Sequence, residues 1–534
     1  MTNRIYYILL ALLAVARYAL CGDTEIVGAQ WDTEGLASLA QAGYWRDMGA
    51  LYRPPVVPLV AHWCAVLAIP YRMALEAGLI GGGIFLALQL KSRFNAWASL
   101  AVFAILLFNP YAIRSFTEFQ REPFLYVEYI ALLGCAVLVL DARETLRRRG
   151  VAAALFGLFS AGIILTREGE EVFVLVFVAA LLLFSLFRRE DRRDWLRKAG
   201  LLAAPTGLIT LTLCGLTAMT NDANWGAPSY RGMFPYIRDF LTEIHHIKVD
   251  DSVRYAPATR KSFAEAARVS KTFAEFAGPA LALDADAPPQ VQTFREHSSH
   301  FVHRLEVDPS RTLWLVNYLA VAKYGADPRV LVEKLTAATA EVRAALASGE
   351  LPRTALPLPY PFDPNLSNWL PGLPEELGSV LHMLATPSAE EAGARILDDY
   401  RPDLFDAALT RRTYLVGHQF KTRNDALRQA VAANYRYLIG AMAALSFALG
   451  LIFAVDRRVW ALTLGLFSLI GARFVIYGVM LASVAPVHRY VVFMSPLAGV
   501  LICLGCAVAG SGLRSLLKLG GAPQAEGPGA VAQA

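Results

Sequence analysis

Four short stretches of the chain combine acidic and basic side chains in patterns that could carry a reaction. Trp31-Asp32-Thr33-Glu34-Gly35-Leu36 leads on to Ala40. At helical spacing Asp32, Leu36 and Ala40 share a face, so the carboxylate would stand at the mouth of a packed helix. There it could act as a general base, or do no more than cap the helix. Thr117-Glu118 and Glu122-Pro123-Phe124 place two more acids close together, while Leu165-Thr166-Arg167-Glu168-Gly169 and His488-Arg489-Tyr490 each set an arginine at the edge of an apolar run. A guanidinium there offers a bidentate fork to an anion; the plain alternative is a side chain snorkelling from a helix end to water. Glu168, Glu170 and Glu171 beside Arg167 read as a solvated, locally paired turn rather than a metal site. His297, His300 and His303, with Glu296 adjacent, could bring neighbouring pairs of imidazoles onto one helical face for zinc, although solvated histidines are commoner than ligands. His245-His246 is a weaker form of the same signal.

The elements that must hold these residues are membrane spans. Of the 534 residues, 55% are hydrophobic and 18% charged, and the mean hydropathy is +0.40. Soluble domains are about 45–50% apolar and about 25% charged, so the apolar excess must meet lipid. A net charge of +5, with Arg and Lys in short clusters between apolar runs, argues against nucleic acid as a partner and for topology signals. Five cysteines lie in apolar segments and Cys21 borders one, which makes neither a disulfide framework nor a cysteine zinc site. Ten runs approach the length needed to cross hydrocarbon: Ile5 to Leu20, Leu75 to Leu90, Ala96 to Ile113, Phe124 to Leu140, Val151 to Thr166, Val172 to Phe187, Leu201 to Met219, Tyr437 to Val455, Trp460 to Ser483 and Tyr490 to Ala509. The first is long, contains Arg17 and ends in Tyr18-Ala19-Leu20-Cys21, so it reads as an uncleaved span and not as a signal peptide.

Basic clusters at 143–149, 188–198 and 457–458, with Arg514 and Lys518, should face the cytoplasm. The loops at 21–53, 114–121, 167–171, 220–434 and 485–489 then share the external face. Pro55 to Pro70, short and bracketed by prolines, reads as a half-buried or juxtamembrane helix. The insertion at 221–434 carries helix signals, among them Asp327-Pro328 leading a run that stops at Gly349 and a capping box at Ser388-Ala389-Glu390-Glu391. Seven prolines between Pro352 and Pro374, interleaved with Tyr360, Phe362 and Trp369, predict an extended aromatic loop, either a linker or a lid. The expected layout is an N-terminal bundle at 1–220, a helix-rich external domain at 221–434, C-terminal spans at 435–512 and a cytoplasmic disordered tail at 513–534.

An aspartate soon after the first span, an Ala-rich stretch and then Arg53-Pro54-Pro55 before an apolar segment resemble the first external loop of the GT-C glycosyltransferase superfamily. The protein O-mannosyltransferases and lipid A aminoarabinose transferases belong to it. The acids at 117–124 and the arginines at 167 and 489 fit the same arrangement. The resemblance covers the membrane portion, about half the chain; it departs from the usual layout in that the large soluble domain interrupts the spans, and in that Leu36 stands where an aromatic is frequent. It implies an all-α polytopic GT-C-like bundle in a bacterial inner membrane, with the large domain in the periplasm. The implied reaction is inverting transfer of a sugar from a polyprenyl-phosphate donor to a lipid, glycan or protein acceptor. Asp32 would deprotonate or orient the acceptor, and Glu122 and Glu118 would assist or hold a divalent cation, Mg or Mn. Arg167, Arg489 and Arg53 would bind the donor phosphate, because negative charge develops on that leaving group. A transporter or flippase for a lipid-linked solute is the competing class, and a glycan ligase a third. Span interiors nearly free of charge, Arg473 the main exception, favour chemistry at the surface over passage.

Overall fold

The structure, a computed structural model, describes residues 2–21, 36, 39–40, 43–46, 51–117, 119–186, 192–250, 258–281, 309–385, 421–483, 491 and 493–519. They form helices α1 (Asn3–Cys21), α2 (Val56–Val66), α3 (Tyr71–Lys91), α4 (Ala96–Phe108), α5 (Pro110–Arg114), α6 (Arg121–Leu140), α7 (Leu146–Thr166) and α8 (Glu170–Leu186). These are followed by α9 (Arg192–Trp225), α10 (Phe234–His246), α11 (Arg260–Val269), α12 (Lys271–Leu281), α13 (Pro309–Tyr324), α14 (Pro328–Ser348), α15 (Leu366–Trp369), α16 (Leu373–Ala385), α17 (Lys421–Ile452), α18 (Arg457–Ser483) and α19 (Ser495–Leu519). Among the described residues the β-structure is one isolated bridge, Ile247 to Arg353.

Among the described residues eight helices are long and apolar enough to cross a membrane: α1, α3, α6, α7, α9, α17, α18 and α19. The two remaining expected spans are shorter. The run from Ala96 to Ile113 breaks at Asn109-Pro110, because proline lacks the N–H that would continue the ladder. The Asn109 side chain instead accepts from the Tyr111 amide at 2.8 Å and starts α5, which leaves α4 with 13 residues. Helix α8 is described over 17 residues, up to Leu186, at the short end of the roughly 17–25 of a span. Helix α2, at 11 residues, is too short to cross, and it leaves Trp63 and Val66 exposed beside the bundle. A helix this short agrees with the prolines that flank it.

A single apolar core runs through the bundle. Glycines set its closest approaches: a Cβ at Gly450 on α17 would overlap the Ala507 carbonyl of α19, and one at Gly510 would overlap the Phe447 carbonyl. A separate core gathers Leu51 and Tyr52 with α10 to α14. In α14, Asp327 accepts from the Arg329 amide at 3.0 Å and Gly349 ends the helix at φ 79°, the start and stop read from sequence. Helices override the expected segment limits: α9 runs on to Trp225, α17 begins at Lys421 and α19 reaches Leu519. Helical hydrogen bonding does not end where lipid does. Helix α16 lies within 221–434 in sequence, yet it packs Val380, Met383 and Leu384 into the bundle core, with Leu377 against Gly478 of α18. The proline-rich stretch is irregular up to Asn365 and then forms the single turn α15, burying Tyr360 and Trp369.

At one end of the bundle, ion pairs tie the basic loops together. Asp141 accepts from Arg93 and, at 2.6 Å, from Arg458; Arg143 pairs with Asp456; and Asp194 takes Lys198 at 2.9 Å and Arg149 at 3.5 Å. The clusters at 143–149, 192–198 and 457–458 therefore share one face. Of the chemistry-bearing stretches, the described residues 121–122, at the start of α6, and 166–171, between α7 and α8, lie at the other.

Candidate functional site

Helix α6 begins the site, because its first turn carries Arg121 and Glu122 toward the face opposite the basic loops. Glu122 is 3% exposed, and its Oε1 has no hydrogen-bond partner. A carboxylate in the first turn is favoured by the helix dipole, yet a buried oxygen left unpaired is costly. Gln120 Nε2, Asn109 Nδ2, the Tyr71 hydroxyl and Arg72 Nε and Nη1 are buried without partners as well. These atoms come from residues 71–72 and 109–122, which pack together through the Tyr71–Phe119 rings at 4.9 Å and the Arg72 guanidinium 5.5 Å from the Phe116 centroid.

Arg167 follows α7 and does not snorkel. It is buried, lies 3.8 Å from Glu170, and faces the rings of Tyr477 and Phe493 at 5.9 and 5.7 Å. Glu170 is likewise not solvated, against the reading of that turn as a water-exposed pair. It receives the Tyr129 hydroxyl at 2.7 Å and an ion pair from Arg473, whose guanidinium lies 3.9 Å from the Phe173 centroid and 2.7 Å from the Tyr129 oxygen. Two buried arginines thus meet one buried glutamate, and Arg473, noted in the sequence only as an isolated charge, is the second.

Two more buried carboxylates lie within spans, close to their ends. Glu128 on α6 is buried and accepts from Thr166 at 2.9 Å. Glu76 on α3 takes both Arg17, at 2.8 and 2.9 Å, and Arg72. The sequence signal was present, an Arg at the end of the first span and an Arg-x₃-Glu at the start of the next, but only folding pairs residues 59 positions apart.

Above this layer sits Glu168, half-buried, with Arg53, Arg121, Arg231 and Arg238 within electrostatic reach. Burial lifts its carboxyl above the ordinary range against the pull of those four guanidiniums. Arg231 also pairs with Glu171, and the Arg53 carbonyl accepts from the Tyr44 hydroxyl. Close backbone contact brings these parts together: the Met233 amide donates to the Leu51 carbonyl at 2.9 Å, and Gly232, at φ 58°, leaves no room there for a side chain.

Among the expected site residues, Glu122, Arg167 and Arg53 are therefore at one end of the bundle. Asp32, Glu118 and Arg489 lie outside the described residues, as do His297, His300 and His303. Leu36 and Ala40, expected from spacing to share a face with Asp32, are buried in the bundle core. His245 is fully buried with its ring 5.0 Å from that of Tyr360, and His246 Nε2 meets the Leu358 carbonyl at 3.0 Å. Among the described residues no three His, Cys, Asp or Glu side chains converge as a ligand set.

No family model matches the sequence, and no characterised protein matches it in sequence. Among solved structures, the chain is similar to ArnT from Cupriavidus metallidurans in the apo state, at TM-score 0.35 and 14% identity over 95% of this chain and 78% of that one. To the same protein bound to undecaprenyl phosphate it is similar at TM-score 0.34 and 14% identity, over 96% and 78%. A third similarity is to the archaeal oligosaccharyltransferase AglB from Archaeoglobus fulgidus, in complex with an inhibitory peptide and a dolichol-phosphate. There the TM-score is 0.40 and the identity 11%, over 96% of this chain and 51% of AglB, so the chain spans about half of AglB's length.

Proposed function

We propose that the chain is an integral-membrane glycosyltransferase of the GT-C type, taking a sugar from a polyprenyl-phosphate donor. The observation that carries this reading is the presence, at one end of the bundle, of a buried carboxylate with an oxygen that takes no hydrogen bond, Glu122, and of buried arginines on aromatic rings, Arg167 and Arg473. A lipid phosphate leaving group needs fixed positive charge at the membrane boundary, and an acceptor hydroxyl needs a base beside it.

In this reading the acceptor oxygen attacks the anomeric carbon and its proton passes to Asp32. The bond from that carbon to the phosphate oxygen breaks, and polyprenyl phosphate leaves with the electron pair, inverting the centre. Glu122 and Glu118 orient the acceptor. Arg167, Arg489 and Arg53 hold the phosphate, with Arg473 fixing Glu170 beneath Arg167. Mg or Mn takes oxygen ligands and waters; Glu122 would offer one carboxylate to such an ion, and no step here is routed through it. Residues 221–434 would form a periplasmic domain that helps select the acceptor, with the protein in a bacterial inner membrane and its ion-paired basic loops facing the cytoplasm.

Native mass spectrometry of the purified protein tests the donor class. A retained adduct of polyprenyl-phosphate mass is expected, weakened in Arg167→Gln; ordinary phospholipid as the sole adduct would overturn the assignment. Glu128, buried inside α6, favours a second reading as a flippase, since buried carboxyls inside spans mark passage routes. Reconstituted vesicles separate the two, because a transferase consumes the donor and a flippase moves it unchanged. A glycan ligase would differ from both by adding a chain instead of one sugar.

A further inference from the structure

We infer that Arg72, braced by Glu76 and Arg17, forms a second anion site that takes a phosphate group, apart from the one at Arg167. Its geometry is unequal. Every nitrogen of the Arg17 guanidinium is bonded: Nε and Nη2 donate to the two Glu76 oxygens at 2.9 and 2.8 Å, Nη1 donates to the Leu107 carbonyl at 2.9 Å, and Nη2 also reaches the Ala112 carbonyl at 2.7 Å. Arg72 spends only Nη2 on Glu76. Its Nε and Nη1 are left without partners in a side chain that is 0% exposed.

Charge points the same way. Two arginines face one carboxylate, and Arg428 of α17 lies within electrostatic reach of Arg72. Both guanidiniums stand over the Phe116 ring, at 5.6 and 5.5 Å. A fully buried guanidinium with an uncompensated edge is unfavourable unless an acceptor meets it. The two free donors, Nε and Nη1, flank Nη2 on either side, and Nη2 keeps a second hydrogen beside one of them, so one edge of the guanidinium remains for two oxygens of one phosphate. The site is also separate from Arg167, which stands over Phe493 and Tyr477 and not over Phe116.

A lipid headgroup and free phosphate share this chemistry, and the test distinguishes them. Full-length protein in detergent is melted with polyprenyl phosphate, with inorganic phosphate, or with the neutral polyprenol, in wild type, Arg167→Gln and Arg167→Gln/Arg72→Gln. The expected result is a concentration-dependent rise in Tm that persists in Arg167→Gln and disappears in the double variant. A response to polyprenyl phosphate alone names the lipid headgroup, and an equal response to inorganic phosphate names the free anion. The inference is overturned if Arg167→Gln alone abolishes the response, if the double variant responds like Arg167→Gln, or if polyprenol does as well as its phosphate. Should Arg72→Gln fail to fold, Arg72→Lys decides in its place: it keeps the charge beside Glu76 but loses the fork. Phosphate should then bind about tenfold more weakly or worse, and undiminished binding would sink the site.

Discussion

At Glu122 a single oxygen separates two roles. As a first-turn acid it would contribute only the few tenths to about 1 kcal/mol of a charge–dipole contact; as an acceptor-orienting group it would govern turnover. Glu122→Gln should lower transfer by about 10²- to 10⁴-fold while shifting Tm little, checked by measuring both on one preparation. Asp32→Asn should behave in the same way, and normal turnover by a well-folded Asp32→Asn protein would shift the base to Glu122. The arginines were legible as residue types, but their partners were not. Arg167 was recognisable at the end of its apolar run, whereas the Tyr129–Glu170–Arg473 network beneath it joins residues up to 344 positions apart. No local pattern encodes such a pairing.

Among elements, the contact between α17 and α19 depends on glycines whose missing Cβ lets two backbones touch. Gly450→Ala or Gly510→Ala should destabilise the bundle by about 1–3 kcal/mol, read as a fall in Tm in detergent, whereas Gly440→Ala on α17, where a Cβ meets nothing within 4 Å, should not. In the second core, α10 buries His245, and burial pushes its imidazole down to about 3, with the Phe362 backbone partly opposing. The unfolded imidazole titrates near 6.5. Its contribution is thus complete above about pH 6.5 and is lost as pH falls toward 3, by up to about 1.4 kcal/mol per unit. Thermal melts between pH 7 and 4 should show a steeper loss in wild type than in His245→Phe; equal slopes would place the acid sensitivity elsewhere.

For the whole molecule, the decisive expectation is sidedness. In a background without the six native cysteines, Ala142→Cys, beside the ion-paired basic loops, and Lys248→Cys, in the second core's surface, should label from opposite sides of the membrane in spheroplasts. Labelling from the same side would dismantle the topology and the site with it. The sequence by itself determined the helical membrane class, most of the candidate spans, the short helix between its prolines, and that the basic clusters at 143–149, 192–198 and 457–458 share a face. These follow from local composition: apolar length, proline's missing N–H and the cost of charge in hydrocarbon are all properties of contiguous residues. What only the tertiary structure decided was which charges meet. It broke the third apolar run at Asn109, drew α16 out of the insertion into the bundle, and set Glu76 between Arg17 and Arg72. A buried charge is tolerable only with a counter-charge close by, and that partner is chosen by how the helices pack, since distance along the chain says nothing of it.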